Sequence, residues 1–157
     1  MVFVKKQGKG DYMKYCFIIN PRAGKGKFVD ELEKSINDTC SEAKVEFEIF
    51  KTYTLEDGRE YINKTVKEYD GRLVFFACGG DGTLYEVVNA CACKENAEVA
   101  AFPLGSGNDF IRIFGDKKDL RNVKDHVNGT VMDFDIIKCG DEYAINQCSM
   151  GLDAEVC

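Results

Sequence analysis

Leu73-Val74-Phe75-Phe76-Ala77-Cys78-Gly79-Gly80-Asp81-Gly82-Thr83-Leu84-Tyr85-Glu86-Val87-Val88-Asn89 is the stretch that decides the fold. Its first six residues are apolar without alternation, the pattern of a central parallel strand covered on both faces. Leu84, Val87 and Val88, continued by Cys91, then recur at helical spacing. A strand, a glycine turn and a helix therefore follow one another directly.

Outward from this unit the same alternation repeats. Toward the start, Tyr15 to Ile19 reads as a buried strand ending at Asn20-Pro21, and Phe28, Leu32, Ile36 and Cys40 mark a helix. Val45 to Phe50 reads as a strand, and Tyr61, Ile62, Thr65, Val66 and Tyr69 as a second helical face. Toward the end, Val99 to Phe102 is a buried strand closed by Pro103, and Leu120, Val123 and Val127 suggest a fourth helix. Val131 to Lys138 and Tyr143 to Cys148 are expected to form a hairpin around Cys139-Gly140-Asp141-Glu142. Strands alternating with helices require crossover connections, so the expected fold is α/β: an open three-layer domain with a mostly parallel sheet.

Three glycine-rich stretches each follow an expected strand: Asn20-Pro21-Arg22-Ala23-Gly24-Lys25-Gly26-Lys27, then Gly79-Gly80-Asp81-Gly82-Thr83, then Pro103-Leu104-Gly105-Ser106-Gly107-Asn108-Asp109-Phe110. Carboxyl ends of parallel strands share one edge, where ligands bind, so three loops distant in sequence should meet at one site. Seven of the 15 glycines lie in these loops, which favours close backbone approach to a ligand over scattered turns. In the middle loop, Gly79 and Gly80 would let phosphates reach backbone N–H groups at a helix start. Asp81 beside phosphates makes chemical sense if it holds Mg²⁺ directly or through water. The same residues also describe a tight turn with a capping box from Thr83 to Glu86, so this loop alone decides nothing.

Lys25 can balance a phosphate or a carboxylate, or be a solvated helix start. Ser106 can donate to a phosphate; Asn108 or Asp109 can bridge loops or cap a short helix through Phe114. Asp133, on an expected core strand, would need a partner, and Lys25 is the proposed one. The first loop has neither the P-loop spacing nor the Gly-x-Gly-x-x-Gly turn of dinucleotide sites.

Composition narrows the classes further. The 157 residues suit one domain, with 45% hydrophobic and 31% charged residues. A net charge of -6 without a basic stripe argues against nucleic-acid binding and against direct hold on an anionic membrane. No apolar run approaches the ~20 residues needed to span a bilayer. The eight cysteines form no Cys-x-x-Cys pair and there is one histidine, so reduced cysteines used as small hydrophobes in the cytosol are expected.

In order and spacing, Asn20-Pro21 to Gly24, Gly79-Gly80-Asp81-Gly82-Thr83-Leu84 with Glu86-Val87-Val88-Asn89, and Pro103 to Phe110 together resemble the diacylglycerol kinase catalytic domain family. The likeness runs from about Tyr15 to Val156 and includes Asp133 as an acidic strand position. It implies the N-terminal nucleotide-binding fold shared by diacylglycerol kinases and NAD kinases. It implies ATP contacts from Asn20, Pro21, Arg22, Ala23, Gly24, Thr52, Gly80, Asp81, Gly82, Thr83, Leu84, Tyr85, Glu86 and Ser106. It implies Mg²⁺ held through water near Asp81, and a supporting charge network of Asp81, Lys25 and Asp133. The implied reaction moves the ATP γ-phosphate to the hydroxyl of diacylglycerol or a related lipid. Two departures stand out: Tyr85 replaces the common Asn, and Ser106 the commoner Thr.

The expected organisation is a leader over 1–14, a nucleotide-binding domain over 15–146, and over 147–157 the start of a β-rich second domain. The family's hydroxyl base and lipid site lie in that second domain, so this stretch alone is expected to bind nucleotide weakly and catalyse little. The location expected is cytoplasmic, with peripheral contact at the inner membrane face by a longer protein; a homodimer is compatible with the sequence. Two rivals remain: an NAD kinase, which shares Gly-Gly-Asp-Gly-Thr but resembles neither other loop, and a non-catalytic nucleotide-binding regulatory module.

Overall fold

The computed structural model describes residues 2–3, 12–116 and 119–149, with backbone alone at 2–3, 55 and 119. Much of the expected leader, and residues 150–157 of the expected second-domain segment, lie outside the described residues. Four strands form the parallel centre: β2 (Met13–Ile19), β3 (Glu46–Lys51), β4 (Arg72–Gly79) and β5 (Ala97–Pro103). The sheet order is β3-β2-β4-β5-β1-β6, where β1 (Val2–Phe3) runs antiparallel to β5 and β6 (Val131–Met132) pairs with β1. Val2 and Phe3, placed by the sequence reading in a leader, thus join the sheet between β5 and β6.

Alternation along each strand sorts side chains between two cores. Cys16, Ile18, Phe75 and Ala77 face α2 (Leu55–Glu68) and α3 (Asp81–Cys91). Tyr15, Phe17, Ile19, Val74, Phe76 and Cys78 face α1 (Val29–Ala43) and α4 (Val123–Val127). Helix, sheet and helix make three layers, as expected. On the α1 side, Phe17 and Phe76 stack with ring centres 4.4 Å apart, both fully buried. Burying one such ring contributes on the order of 1.5–3 kcal/mol.

Two local expectations change. The expected strand from Val131 to Lys138 is broken: β6 ends at Met132, and β7 (Ile137–Cys139) pairs with β8 (Glu142–Ala144) as a separate hairpin. The physical reason is the short neighbour, because β1 offers β6 a ladder of two residues. The hairpin turn itself falls where expected, at Gly140-Asp141. The second change concerns α3, which starts at Asp81 with Gly80 as its N-cap and no side-chain cap, so no capping box forms from Thr83 to Glu86.

Candidate active site

The carboxyl ends of β2, β4 and β5 deliver the three glycine loops to one edge. Asn20 continues the pairing of β2, its N–H donating to Cys78 O at 3.0 Å. Its side chain is held at both ends: Nδ2 donates to Thr83 Oγ1 at 3.3 Å, and Oδ1 accepts from Arg22 N at 3.0 Å. Thr83 is thus used to join the first loop to the second. The turn Ala23–Gly26 puts Gly24 and Lys25 at φ 59 and 62, and a Cβ on Gly24 would lie 2.6 Å from Leu104 O. The first loop therefore touches the third.

The second and third loops meet even more closely. Leu104 and Gly105 both donate to Gly79 O, at 2.8 and 2.9 Å. A Cβ on Gly105 would lie 2.4 Å from Gly80 Cα, a distance no side chain tolerates. Asp81 then clamps the pair: Asn108 N donates to its Oδ2 at 2.6 Å and Asp109 N to its Oδ1 at 2.7 Å. Ser106 sits exposed on the same edge, flanked by glycines. Asn108 and Asp109 do bridge loops, but neither caps the following turn Phe110–Phe114; Asn108 Nδ2 instead donates to Gly105 O at 2.7 Å. Asn20, Asp81 and Ser106 share one site.

Around the rim, Thr52 follows β3 and its N–H donates to Ile19 O at 2.9 Å, which sets it beside Asn20. Its buried hydroxyl lies 2.6 Å from Asp57 Oδ1 and 2.8 Å from Thr54 O. Desolvation opposes ionisation of Asp57, but hydrogen bonds from Thr52, Tyr53, Thr54 and Gly58 hold its carboxyl at about 2. Glu86 behaves in the opposite sense: partial burial pushes its carboxyl up, Arg59 opposes this and Asp57 adds to it. Asp57 and Arg59 were not singled out from sequence. The Thr54-x-x-Asp57 spacing was the available signal, and Thr54 with Asp57 forms a capping box on α2.

One expected arrangement is not found. Asp133 is exposed in the irregular stretch after β6, and it makes no ion pair with Lys25 among the described residues. The need for a buried partner vanishes because the strand that would have buried Asp133 ends before it. Tyr85 is 42% exposed and turns to the hairpin, its hydroxyl donating to Glu142 Oε2 at 3.2 Å. Beside it, Asp81, Leu84, Tyr85, Asp109, Phe110 and residues 144–147 border a cleft of about 250 Å³.

The arrangement has the physical attributes of an anion site. The first N–H groups of α3 lack intrahelical partners, the helix dipole is positive there, and glycines leave room for direct approach. Lys25 adds an exposed cation on the first loop.

The family model for the diacylglycerol kinase catalytic domain matches residues 14–139. Proteins named diacylglycerol kinase from Staphylococcus aureus strains RF122 / ET3-1 and MRSA252 are each 34% identical over 137 residues, covering 85% of this chain and 42% of theirs. A crystal structure of a diacylglycerol kinase from Bacillus anthracis str. Sterne superposes with a TM-score of 0.64 at 25% identity, covering 86% of this chain and 49% of that one. The chain thus spans less than half the length of each of these relatives.

Proposed function

The chain belongs to the diacylglycerol kinase catalytic domain family, a family of lipid kinases, and from that membership we propose that it binds ATP for transfer of the γ-phosphate to a lipid hydroxyl, with diacylglycerol or a related lipid as acceptor. The observation that carries this reading is the clamp at Asp81, which fixes two glycine loops in contact while leaving the edge of the sheet open. Phosphoryl transfer needs positioning and charge neutralisation more than covalent help from the protein, and a rigid backbone cradle supplies the first.

The roles follow from position. Asn20 to Gly24, Gly80 to Thr83 and Ser106 surround the phosphates, with Lys25, rather than a Lys25–Asp133 pair, meeting their charge. Thr52, Leu84, Tyr85 and Glu86 border the nucleoside.

The residues present also fit magnesium. Among the described residues no group of three or more His, Cys, Asp or Glu could cage a metal. Each Asp81 oxygen already accepts one N–H, which leaves one lone-pair direction on each facing solvent. That suits an ion held through water, its inner ligands coming from phosphate, as Mg²⁺ prefers. When bound, the ion supplies charge neutralisation of the phosphates.

The lipid site and the base that takes the hydroxyl proton are proposed for a β-rich part of a longer protein. The proposed place of action is the cytoplasmic face of the membrane. No described helix is long and apolar enough to cross a membrane, and Cys16, Cys40, Cys78 and Cys91 are buried as free thiols, consistent with a reducing compartment.

Calorimetric titration of Mg-ATP into this chain tests the reading, beside phosphorylation of diacylglycerol in mixed micelles by the longer protein. Saturable Mg-ATP binding, weakened at least tenfold by Asp81→Ala, together with labelled lipid, is expected. Phosphorylation of NAD instead would make it an NAD kinase. ATP binding without any lipid product would make it a regulatory module. No ATP binding at all sinks the proposal.

A further inference from the structure

The hairpin β7–β8 forms a two-stranded sheet of its own, apart from the central one. A single side chain on α3 grips it. Tyr85 and Asn89 lie four residues apart, on one side of that helix. The Asn89 amide has both its donors and its acceptor in use. Nδ2 donates to Tyr85 O at 2.9 Å, within the helix, and to Tyr143 O at 2.8 Å, on β8. Oδ1 accepts from Tyr143 N at 2.7 Å. Two carbonyls at one end of the amide and an N–H at the other leave one orientation for the side chain. Asn89 thus meets Tyr143 as a neighbouring strand would, with a donor and an acceptor for one residue's backbone. Other ties are looser. The Tyr85 hydroxyl and Arg59 reach the Glu142 carboxylate at 3.2 and 3.9 Å, in exposed positions where such contacts contribute little.

What this clasp holds is a wall. Residues 144–147 follow Tyr143 directly and border the cleft of about 250 Å³ that Asp81 and Asp109 border as well. At about 30 Å³ for each water molecule, that space suits a small alcohol and not a long hydrocarbon chain. The lining suits the same group. Asp81 and Asp109 offer acceptors to a hydroxyl, and Leu84, Phe110 and Ile145 offer apolar surface to the carbon beside it. Asp81 also belongs to the proposed phosphate cradle, so a hydroxyl in this cleft lies beside the phosphates.

We propose that Asn89 is a positioning residue for the phosphoryl acceptor. By fixing Tyr143 it sets the wall against which the hydroxyl-bearing end of the acceptor lies, while the rest of the lipid extends out of the cleft. Asn89 touches neither the nucleotide nor the acceptor and acts through residues 144–147. The nucleotide loops are held separately, by the bonds of Asp81 to Asn108 and Asp109. Loss of the clasp therefore costs the acceptor its orientation and leaves the nucleotide in place. The identity of the acceptor rests on the kinase reading; the clasp does not.

Two variants test this. Asn89→Ala removes the clasp. Asn89→Asp, of equal size, keeps the acceptor oxygen and loses both donors, so a folding defect in the first leaves the second to decide. In each, hydrogen exchange of amides 143–147 should quicken by about tenfold. Mg-ATP binding to this chain, by calorimetry, should stay within about twofold of the unsubstituted value, because the loops keep their own bonds. In the longer protein the KM for diacylglycerol in mixed micelles should rise about tenfold, with the KM for Mg-ATP unchanged. A residue that merely stabilised the domain would weaken both substrates alike. The role is overturned if exchange does not change, if Mg-ATP affinity falls in step, or if the lipid KM stays put. That last result sinks the acceptor role alone when the unsubstituted protein phosphorylates lipid. No lipid product from the unsubstituted protein sinks it together with the kinase reading.

Discussion

At the carboxyl edge of the sheet the carboxylate of Asp81 stands in solvent and leans on backbone; at the amino edge the carboxylate of Glu98 is buried and paired with a side chain. Asp81 is exposed and accepts two main-chain N–H groups. Glu98, on β5, is 2% exposed and receives Arg72, on β4, through Nε at 3.1 Å and one terminal nitrogen at 2.7 and 3.0 Å. Buried His126 lines the same amino-edge hollow of about 270 Å³ with Tyr15, Arg72 and Glu98, its Nε2 lying 2.7 Å from Leu120 O. The same strands thus end in interlocked glycine loops around an exposed carboxylate on one side and a side-chain ion pair with a buried carboxylate on the other.

The sharpest way to break the contrast is Arg72→Ala. It strands Glu98 without a partner and should cost about 3 kcal/mol in urea unfolding, with Mg-ATP affinity of the folded protein unchanged. Replacing both partners by Met should recover most of that loss. Next comes Gly105→Ala, which forces two loops apart. A cost of about 1–3 kcal/mol is expected, with at least tenfold weaker Mg-ATP binding by calorimetry. If affinity survives, the cradle is softer than its contacts imply. Asp81→Asn keeps one acceptor oxygen of two. It should lower stability by only about 1 kcal/mol, yet weaken Mg-ATP by more than that factor.

The smallest effect concerns pH. Burial holds His126 neutral down to about 4, so its contribution is complete above its ordinary 6.5 and lost as pH falls from there. Asp57, held at about 2, contributes fully above about 4 and is lost only below that. Acidification should therefore loosen the amino edge first. Hydrogen exchange at pH 5, corrected for intrinsic rates, should show residues 123–128 less protected than at pH 7 and residues 52–58 unchanged.

Much of this was legible in sequence because it depends on short-range pattern. Leu73 to Cys78 and Val99 to Phe102 announce buried parallel strands, and topology alone then brings the three glycine loops together. What sequence does not reveal is who bonds whom across loops. Asp81 reads equally as metal ligand or helix start; its bonds to Asn108 and Asp109 exist only once β4 and β5 are adjacent. Glu98 and Arg72 gave no local sign of pairing, since each lies at the end of an apolar run. Asp133 misleads for a related reason: its burial hinged on how far β6 extends, which is set by a two-residue neighbour at the far end of the chain.

The near-collision of Gly105 with Gly80 carries a consequence for how such a chain can drift. Gly105 cannot accept a side chain while the Gly80 loop stays put, so single substitutions there are closed off, whereas a Cβ on Gly80 would meet Gly105 Cα at 3.4 Å, an ordinary contact. An insertion in either turn would be felt in the other as misalignment. These two stretches must therefore change in step, while the hairpin wall and the surroundings of Tyr85 lie outside that constraint.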